Sequence, residues 1–215
     1  MMLFRPLALA GLVAVAAVLS GLSAPTAPAL AQACKSNPAG PRGTVDRLHD
    51  ALIDAMKNAT TLGVDGRRDR LDPVVRGALA LPDMARLAVG PFWDRMSEDE
   101  RRNVVETFSR MSVTTYARRF KGYDGESFEF LGQEAGPRDT TWIRTRIVVP
   151  GGDNVALNYL MRDYCEAGWR IVDVFLAGSV SELATRRSEY TSVIRQSGVA
   201  GLIAALEDKI NDSSR

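Results

Sequence analysis

The stretch SEDERRNVVETFSRMSVTTYARRF, residues 97–120, decides the fold, because the hydrophobic period changes just beyond it. Ser97 and Glu100 form a capping box, in which the serine side chain takes an orphan amide while the glutamate reaches back. Acids at 98–100 also suit the positive end of the helix dipole. Placed at helical spacing, Val104, Val105, Phe108, Met111, Val113, Tyr116 and Phe120 cover about half the circumference. Asn103, Glu106, Thr107, Arg110 and Thr114 take the other side. An arc that wide predicts a helix buried against a sheet on one flank and other helices on the other.

After Gly122 the period becomes two. Phe128 and Phe130 alternate with Glu129, and residues 141–149 place Ile143, Ile147 and Val149 on one face. Residues 155–162 and 169–176 continue the pattern, separated by Gly- and Pro-containing turns. Short turns between consecutive strands predict an antiparallel meander with one covered face. Helices return over residues 179–195, and Val199, Leu202, Ile203, Leu206 and Ile210 form a last apolar stripe after Ser197-Gly198. Upstream, Val45, Leu48, Leu52, Met56 and Ala59 form the stripe of a helix from Thr44, and a second helix runs through Leu71, Val74, Val75 and Leu79. Between it and Ser97 lies Leu81-Pro82-Asp83-Met84-Ala85-Arg86-Leu87-Ala88-Val89-Gly90-Pro91-Phe92-Trp93. Too short to be stable alone, this segment must be held by burying Met84, Leu87, Val89, Phe92 and Trp93. The sum is an α+β fold: an antiparallel, curved sheet of four strands or slightly more, covered by N- and C-terminal helices.

The chain opens differently. Arg5 precedes an apolar run from Leu7 to Leu22, and Ala29-Leu30-Ala31 follows a small-residue and proline region. This predicts a cleaved secretory signal over residues 1–31, a flexible segment over 32–43 and a single domain over 44–215; an uncleaved anchor is the rival reading. Of 27 bases and 26 acids, cleavage would remove only Arg5, leaving a neutral domain with no electrostatic case for nucleic acid. The clusters Arg67-Arg68-Asp69-Arg70 and Arg118-Arg119-Phe120-Lys121 read as solvated helix faces. In an oxidising compartment Cys34 and Cys165 are candidates for a disulfide, worth on the order of 4–5 kcal/mol in the entropic picture. Two free thiols, or lipidation of Cys34, are the alternatives.

Sites of chemistry are scarce. No glycine-rich phosphate loop, Cys-x-x-Cys, His-Glu-x-x-His or Gly-x-Ser-x-Gly occurs, and His49 is the sole histidine. No metal site, cofactor or catalytic residue is expected. Asp173 falls mid-strand in register with Trp169, Ile171 and Phe175, so a carboxylate is expected among apolar groups and needs a partner. A structural ion pair with Arg187 is the favoured reading, Arg86 and Arg186 being other candidates. A general acid or base is the functional one.

Leu81 to Trp93, Tyr116-Ala117-Arg118-Arg119-Phe120, residues 169–174 and Val180-Ser181-Glu182-Leu183 leading to Arg187-Ser188-Glu189-Tyr190 together resemble the MlaC, or toluene-tolerance, family of periplasmic phospholipid-binding proteins. The Leu-Pro-x-Met-Ala-Arg-Leu-Ala-Val-Gly-Pro form and Gly122 to Glu126 are most similar to its hopanoid-associated HpnM branch. One departure is Arg186, where the family commonly has tyrosine. The resemblance implies a periplasmic, non-enzymatic lipid shuttle, its acyl chains held in an apolar cavity between sheet and helices. Its cargo would be phospholipid or hopanoid, and its partners membrane-bound lipid transport complexes, with the protein itself a monomer. The expected lining is Met84, Leu87, Phe92, Phe108, Met111, Tyr116, Phe128, Phe130, Ile143, Leu157, Tyr159 and Phe175. Two rival functions are an isomerase- or dehydratase-like enzyme with Asp173 as base, and an envelope assembly factor that binds nothing.

Overall fold

The computed structural model describes residues 39–212. The leader over 1–31, most of the 32–43 segment and Cys34, hence the proposed Cys34–Cys165 pairing, lie outside the described residues. The order of elements is α1 (Gly40–Lys57), α2 (Ala59–Ala78), α3 (Leu81–Val89), a 3-10 turn (Gly90–Arg95), α4 (Glu98–Arg119), β1 (Ser127–Ala135), β2 (Thr140–Val148), β3 (Val155–Asp163), β4 (Trp169–Leu176), β5 (Val180–Ser181) and α5 (Glu182–Asn211). The strands form one antiparallel meander in sequence order. This is the expected α+β architecture, with a fifth, two-residue strand added where β4 turns into α5.

Several boundaries follow from local chemistry. α1 begins at Gly40, ahead of Thr44, because Pro41 in its first turn has φ already set for a helix. The capping box at Ser97 is present in both directions, with Ser97 Oγ accepting from the Glu100 amide at 3.2 Å and Glu100 accepting from the Ser97 amide at 2.8 Å. α2 and α5 are each kinked at one residue, Gly63 (φ 61°) and Gly198 (φ 69°). That left-handed backbone is open to glycine at little cost and is strained for other residues. Gly63, with Gly66 a pair of punctuating glycines in the sequence, thus does break the helical path, and a second turn precedes it at Asn58.

One face of the sheet is built from residues paired directly across strands. Ile143, Tyr159 and Val174 form one row, and Thr145, Leu157 and Leu176 form another. Between Leu160 and Met161 the β3–β4 register shifts, leaving Val172 as an extra residue on β4. A bulge of this kind breaks strict alternation. Ile171 and Val174 therefore share the inner face, while Asp173 and Phe175 turn to the outer one, where Phe175 packs on Trp142 with ring centroids 4.7 Å apart. The sequence expectation that Ile171, Asp173 and Phe175 share a face is corrected by this bulge.

α1 lies against the sheet, and Thr44 Oγ1 donates to the Trp169 carbonyl at 3.2 Å. The link into α3 is fastened to β4 by the Ala80 amide donating to the Ile171 carbonyl at 2.9 Å. α4 packs on α2, α3 and α5. Because it has helices on several sides, Thr107 and Thr114 are buried, although the sequence places them on its polar side. Arg67 is buried too, at 5% exposure, and donates to the carbonyls of Ala117 (2.8 Å) and Ala59 (2.9 Å). Its neighbours Arg68 and Arg70 do lie on a solvated face, paired with Asp65 and Asp54.

Candidate functional site

A cavity of about 230 Å³ lies between the C-terminal half of α4 and the inner sheet face. α4 contributes Ser112, Thr115, Tyr116 and Arg119, followed by Phe120; the sheet contributes Ile147, Leu157, Val174 and Leu176. Leu79 and Met84 come from the link before α3 and from α3 itself, and Glu182 and Arg186 from the first turns of α5. The walls are thus largely hydrocarbon. Of the three charged groups, Arg186 lies against Met111 in the middle of α4, and the other two gather where the end of α4 meets the start of α5. Arg119 and Glu182 stand 3.7 Å apart there.

Tyr116 belongs to both regions. Burial pushes its hydroxyl up to about 12, against the pull of the Arg186 and Arg119 charges, so it stays a neutral hydroxyl. Its ring stacks near Phe120, with centroids 6.1 Å apart. The Arg186 guanidinium lies 3.2 Å from both Tyr190 Oη and Met111 Sδ and 5.5 Å from the Phe108 ring centre.

Three of the twelve lining residues expected from sequence, Met84, Tyr116 and Leu157, are on this cavity. The others stand elsewhere. Phe108, Met111, Ile143 and Tyr159 are closed core, and Tyr159 Oη is 2.8 Å from His49 Nε2. Phe128 stacks on the His49 ring at 3.8 Å, and Phe130 lies under the Arg42 guanidinium at 4.2 Å. Burial lowers His49 to about 3, which keeps the imidazole neutral between these rings. Phe92 is half-buried in the 3-10 turn, Leu87 is 37% exposed, and Phe175 is on the opposite sheet face. Leu87 fails because a nine-residue helix tucked under the core buries Leu81, Ala85 and Ala88 instead. Leu79, Ser112, Thr115, Val174 and Leu176 were not singled out from sequence. Placing Ile143 and Ile147 on one strand face was the signal that reached the wall, and only Ile147 is on it.

The expected Asp173–Arg187 ion pair is not among the salt bridges of the described residues. Asp173 caps α5 instead. Its Oδ1 accepts from the amides of Val174 (2.8 Å) and Leu183 (3.1 Å), and Oδ2 accepts from Ser181 Oγ at 2.6 Å. The first amides of a helix are orphan donors, so the carboxylate meets its need for partners without a cation. Arg187 lies beside Gly90, where an added Cβ would come within 3.2 Å of its Nε.

Burial raises the Asp173 carboxyl, partly offset by these three hydrogen bonds. The folded state then holds its proton more tightly than the unfolded chain. This contribution to stability is complete in acid and is lost as pH rises through the folded pKa. Asp173→Ala should cost about 3 kcal/mol, since it strands buried donors. Asp173→Asn keeps the Oδ1 acceptor and removes the buried charge, and should cost less than about 1.5 kcal/mol. Urea unfolding at about pH 4 and about pH 7 checks both points. The stability advantage of wild type over the Asn variant should shrink toward pH 7; an advantage that grows would mean the sign is wrong.

Among the described residues no helix is long and apolar enough to cross a membrane, and no cluster of acids, histidines and cysteines could hold a metal. The architecture is similar to that of a phospholipid-binding protein from Ralstonia solanacearum solved in complex with a phospholipid. The TM-score is 0.70 at 20% sequence identity, covering 80% of this chain and 97% of that one. At that identity the likeness is one of fold. Sequence comparison goes further, with residues 46–208 matching the family described as MlaC protein. The chain belongs to the MlaC family.

Proposed function

We propose that this protein is a lipid carrier of the periplasm, holding acyl chains in the cavity between α4 and the sheet. The observation that carries the reading is the cavity's make-up, with hydrocarbon from Leu79, Met84, Ile147, Leu157, Val174 and Leu176 along its walls and only Arg119, Glu182 and Arg186 charged. Acyl chains gain about 0.8 kcal/mol per methylene on leaving water, so such a wall can compete with a membrane without covalent chemistry. Family membership and the phospholipid in the Ralstonia relative support the same class of ligand. The apolar leader from Leu7 to Leu22 supports export. On this reading the cargo is phospholipid or, by resemblance to the HpnM branch, hopanoid. The monomeric protein passes it between membrane-bound complexes, and no nucleic acid or cofactor takes part.

At about 230 Å³ the cavity is smaller than the roughly 300–1,000 Å³ usual for a preformed ligand site. Room for a whole lipid therefore requires the walls to part. The enzyme reading places a polar pocket around Asp173, but that residue caps α5 and is absent from the cavity wall. Native mass spectrometry of protein released gently from the periplasm, followed by organic extraction, is the direct test. Stoichiometric lipid is expected. Protein that is repeatedly empty and also fails to take labelled lipid from vesicles would leave the assembly-factor reading standing.

A further inference from the structure

A groove runs where α1 and α2 meet the start of β4. Its first hollow measures about 500 Å³, between Thr44 and Arg47 of α1, Pro73 and Val74 of α2, and Trp169 and Arg170 of β4. A second hollow of about 310 Å³ continues it toward α3, sharing Ala167 and Arg170 and reaching Asp83 and Tyr164. Leu79 is the one residue common to this groove and the cavity between α4 and the sheet. The arginines here lack acids. Arg170 donates to carbonyls alone, from Nε to Ala167 at 3.1 Å and from Nη1 to Arg76 at 3.4 Å and to Gly77. These bonds fix the guanidinium and leave Nη2 without an acceptor among the described residues. Arg47 donates to Thr44 Oγ1 at 3.2 Å and is otherwise exposed. On the ladder Arg162 stands directly opposite Arg170, a like-charge pair that repels. None of the three arginines is in an ion pair among the described residues. Acids around the groove are engaged or turned aside. Asp83 accepts from Tyr164 Oη and stands 3.9 Å from Arg86, Asp163 accepts from the Cys165 amide at 2.9 Å, and Glu166 is on neither wall.

We propose that this groove docks a partner protein, and that the docked segment is an extended peptide bearing carboxylates. The inference goes beyond the carrier reading and does not depend on it. A guanidinium fork holds a carboxylate through charge-assisted hydrogen bonds, the strongest contact a peptide side chain can offer it. Arg170 is already fixed by its carbonyls, so it gives up little freedom on binding one. A segment that covers the groove takes Arg47 and Arg170 out of water. That strengthens their attraction to an acid and penalises a neutral or basic chain. The path from α1 past the turn before β4 to α3 suits a length of chain better than one small anion. Pro73, Val74 and Trp169 offer apolar contact to the side chains between the acids. The stretch before α1 is not the occupant this chemistry selects. Residues 32–38 read Gln-Ala-Cys-Lys-Ser-Asn-Pro, with one lysine and no acid.

The test pans a random octapeptide library, displayed on phage, against the wild-type protein and against Arg47→Glu. Peptides held by wild type should be enriched in aspartate and glutamate, and Arg47→Glu should lose that enrichment. The tightest acidic peptide is then labelled with fluorescein and titrated by anisotropy. Arg47→Gln should weaken it by roughly tenfold or more, the loss of one charge-assisted hydrogen bond, and its glutamine-for-glutamate counterpart should lose as much on wild type. Ala167→Trp fills an exposed position common to both hollows and should weaken binding without changing any charge. The proposal is overturned if wild type enriches no acidic peptide. It is equally overturned if the selected peptide binds Arg47→Gln and Ala167→Trp, each shown folded by its melt, as tightly as wild type. Inorganic phosphate that displaces the peptide, where sodium chloride of equal ionic strength does not, would assign the arginines to a free anion. A wild-type dimer in sedimentation velocity that Arg47→Glu renders monomeric would assign the groove to a second copy of the chain. Either result also overturns the proposal. Lipid loading does not enter these readouts, so a protein found empty of lipid would refute the carrier reading and leave the groove's result standing.

Discussion

Ser112→Trp should lower lipid uptake by about a hundredfold or more while leaving the protein folded. Ser112 is 4% exposed and contributes a small side chain to the wall of the cavity on α4. An indole at this position occupies space that acyl chain would otherwise fill. Excluding four methylenes alone forfeits about 3 kcal/mol of transfer free energy, or two orders of magnitude in affinity. Overpacking a solid core costs about 1–3 kcal/mol, and here the existing space absorbs part of the added volume. Far-UV circular dichroism and a melt close to wild type should therefore accompany the loss. The neighbouring Met111 is a poorer probe, since it is 5% exposed within closed core and sits under Arg186. Uptake within twofold of wild type would place the ligand elsewhere.

Arg67→Met should destabilise the fold by about 3 kcal/mol. Its two acceptors explain why. Ala117 lies in the last turn of α4, where carbonyls lack a helical partner, and Ala59 opens α2 four residues before the kink at Gly63. One guanidinium thus joins the end of one helix to the irregular start of another. Methionine fills similar space and leaves both carbonyls buried without a donor, at about 1–3 kcal/mol apiece, offset by release of a desolvated charge. For a domain of this size the melting temperature should drop by about 6–12 °C. Denaturant titration with Arg67→Lys as comparator checks the account, because lysine offers a single centre and should recover only part of the loss. A Met variant as stable as wild type would show that water replaces the guanidinium.

These cases mark where the sequence was readable. α4 was bounded to within a residue because its capping box and period are local signals, and local signals act before tertiary contacts form. The strands were equally plain, as alternation in β2 and β3 survives intact in the ladder. What the sequence hides depends on partners far along the chain. Arg67 sits in a cluster of charges that looks solvated, and only the chain ends of α2 and α4 meeting across it make it a buried staple. The inner face of β4 is not legible in the sequence, because a register shift leaves no mark in composition. The cavity was the least legible element. A stripe such as Phe108, Met111 and Tyr116 is apolar whether it meets protein or empty space, and of these only Tyr116 reached the wall.

The bulge at Val172 bears on how length variation in this chain should be read. Ordinarily a single-residue gap inside a strand counts as a neutral alignment detail. Here, the residue keeps the two halves of the strand in phase: deleting it would restore regular alternation with Ile171 and Val174 still inward and Asp173 still outward, each on its present partner. Pairing the strand without the bulge but with Val172 kept would instead take Val174 and Leu176 off the cavity wall and turn Asp173 from the cap of α5 into hydrocarbon. One step of register thus separates an apolar wall from an acidic one. Relatives that lack the extra residue should keep the same wall and the same anchor for α5, on a less twisted strand.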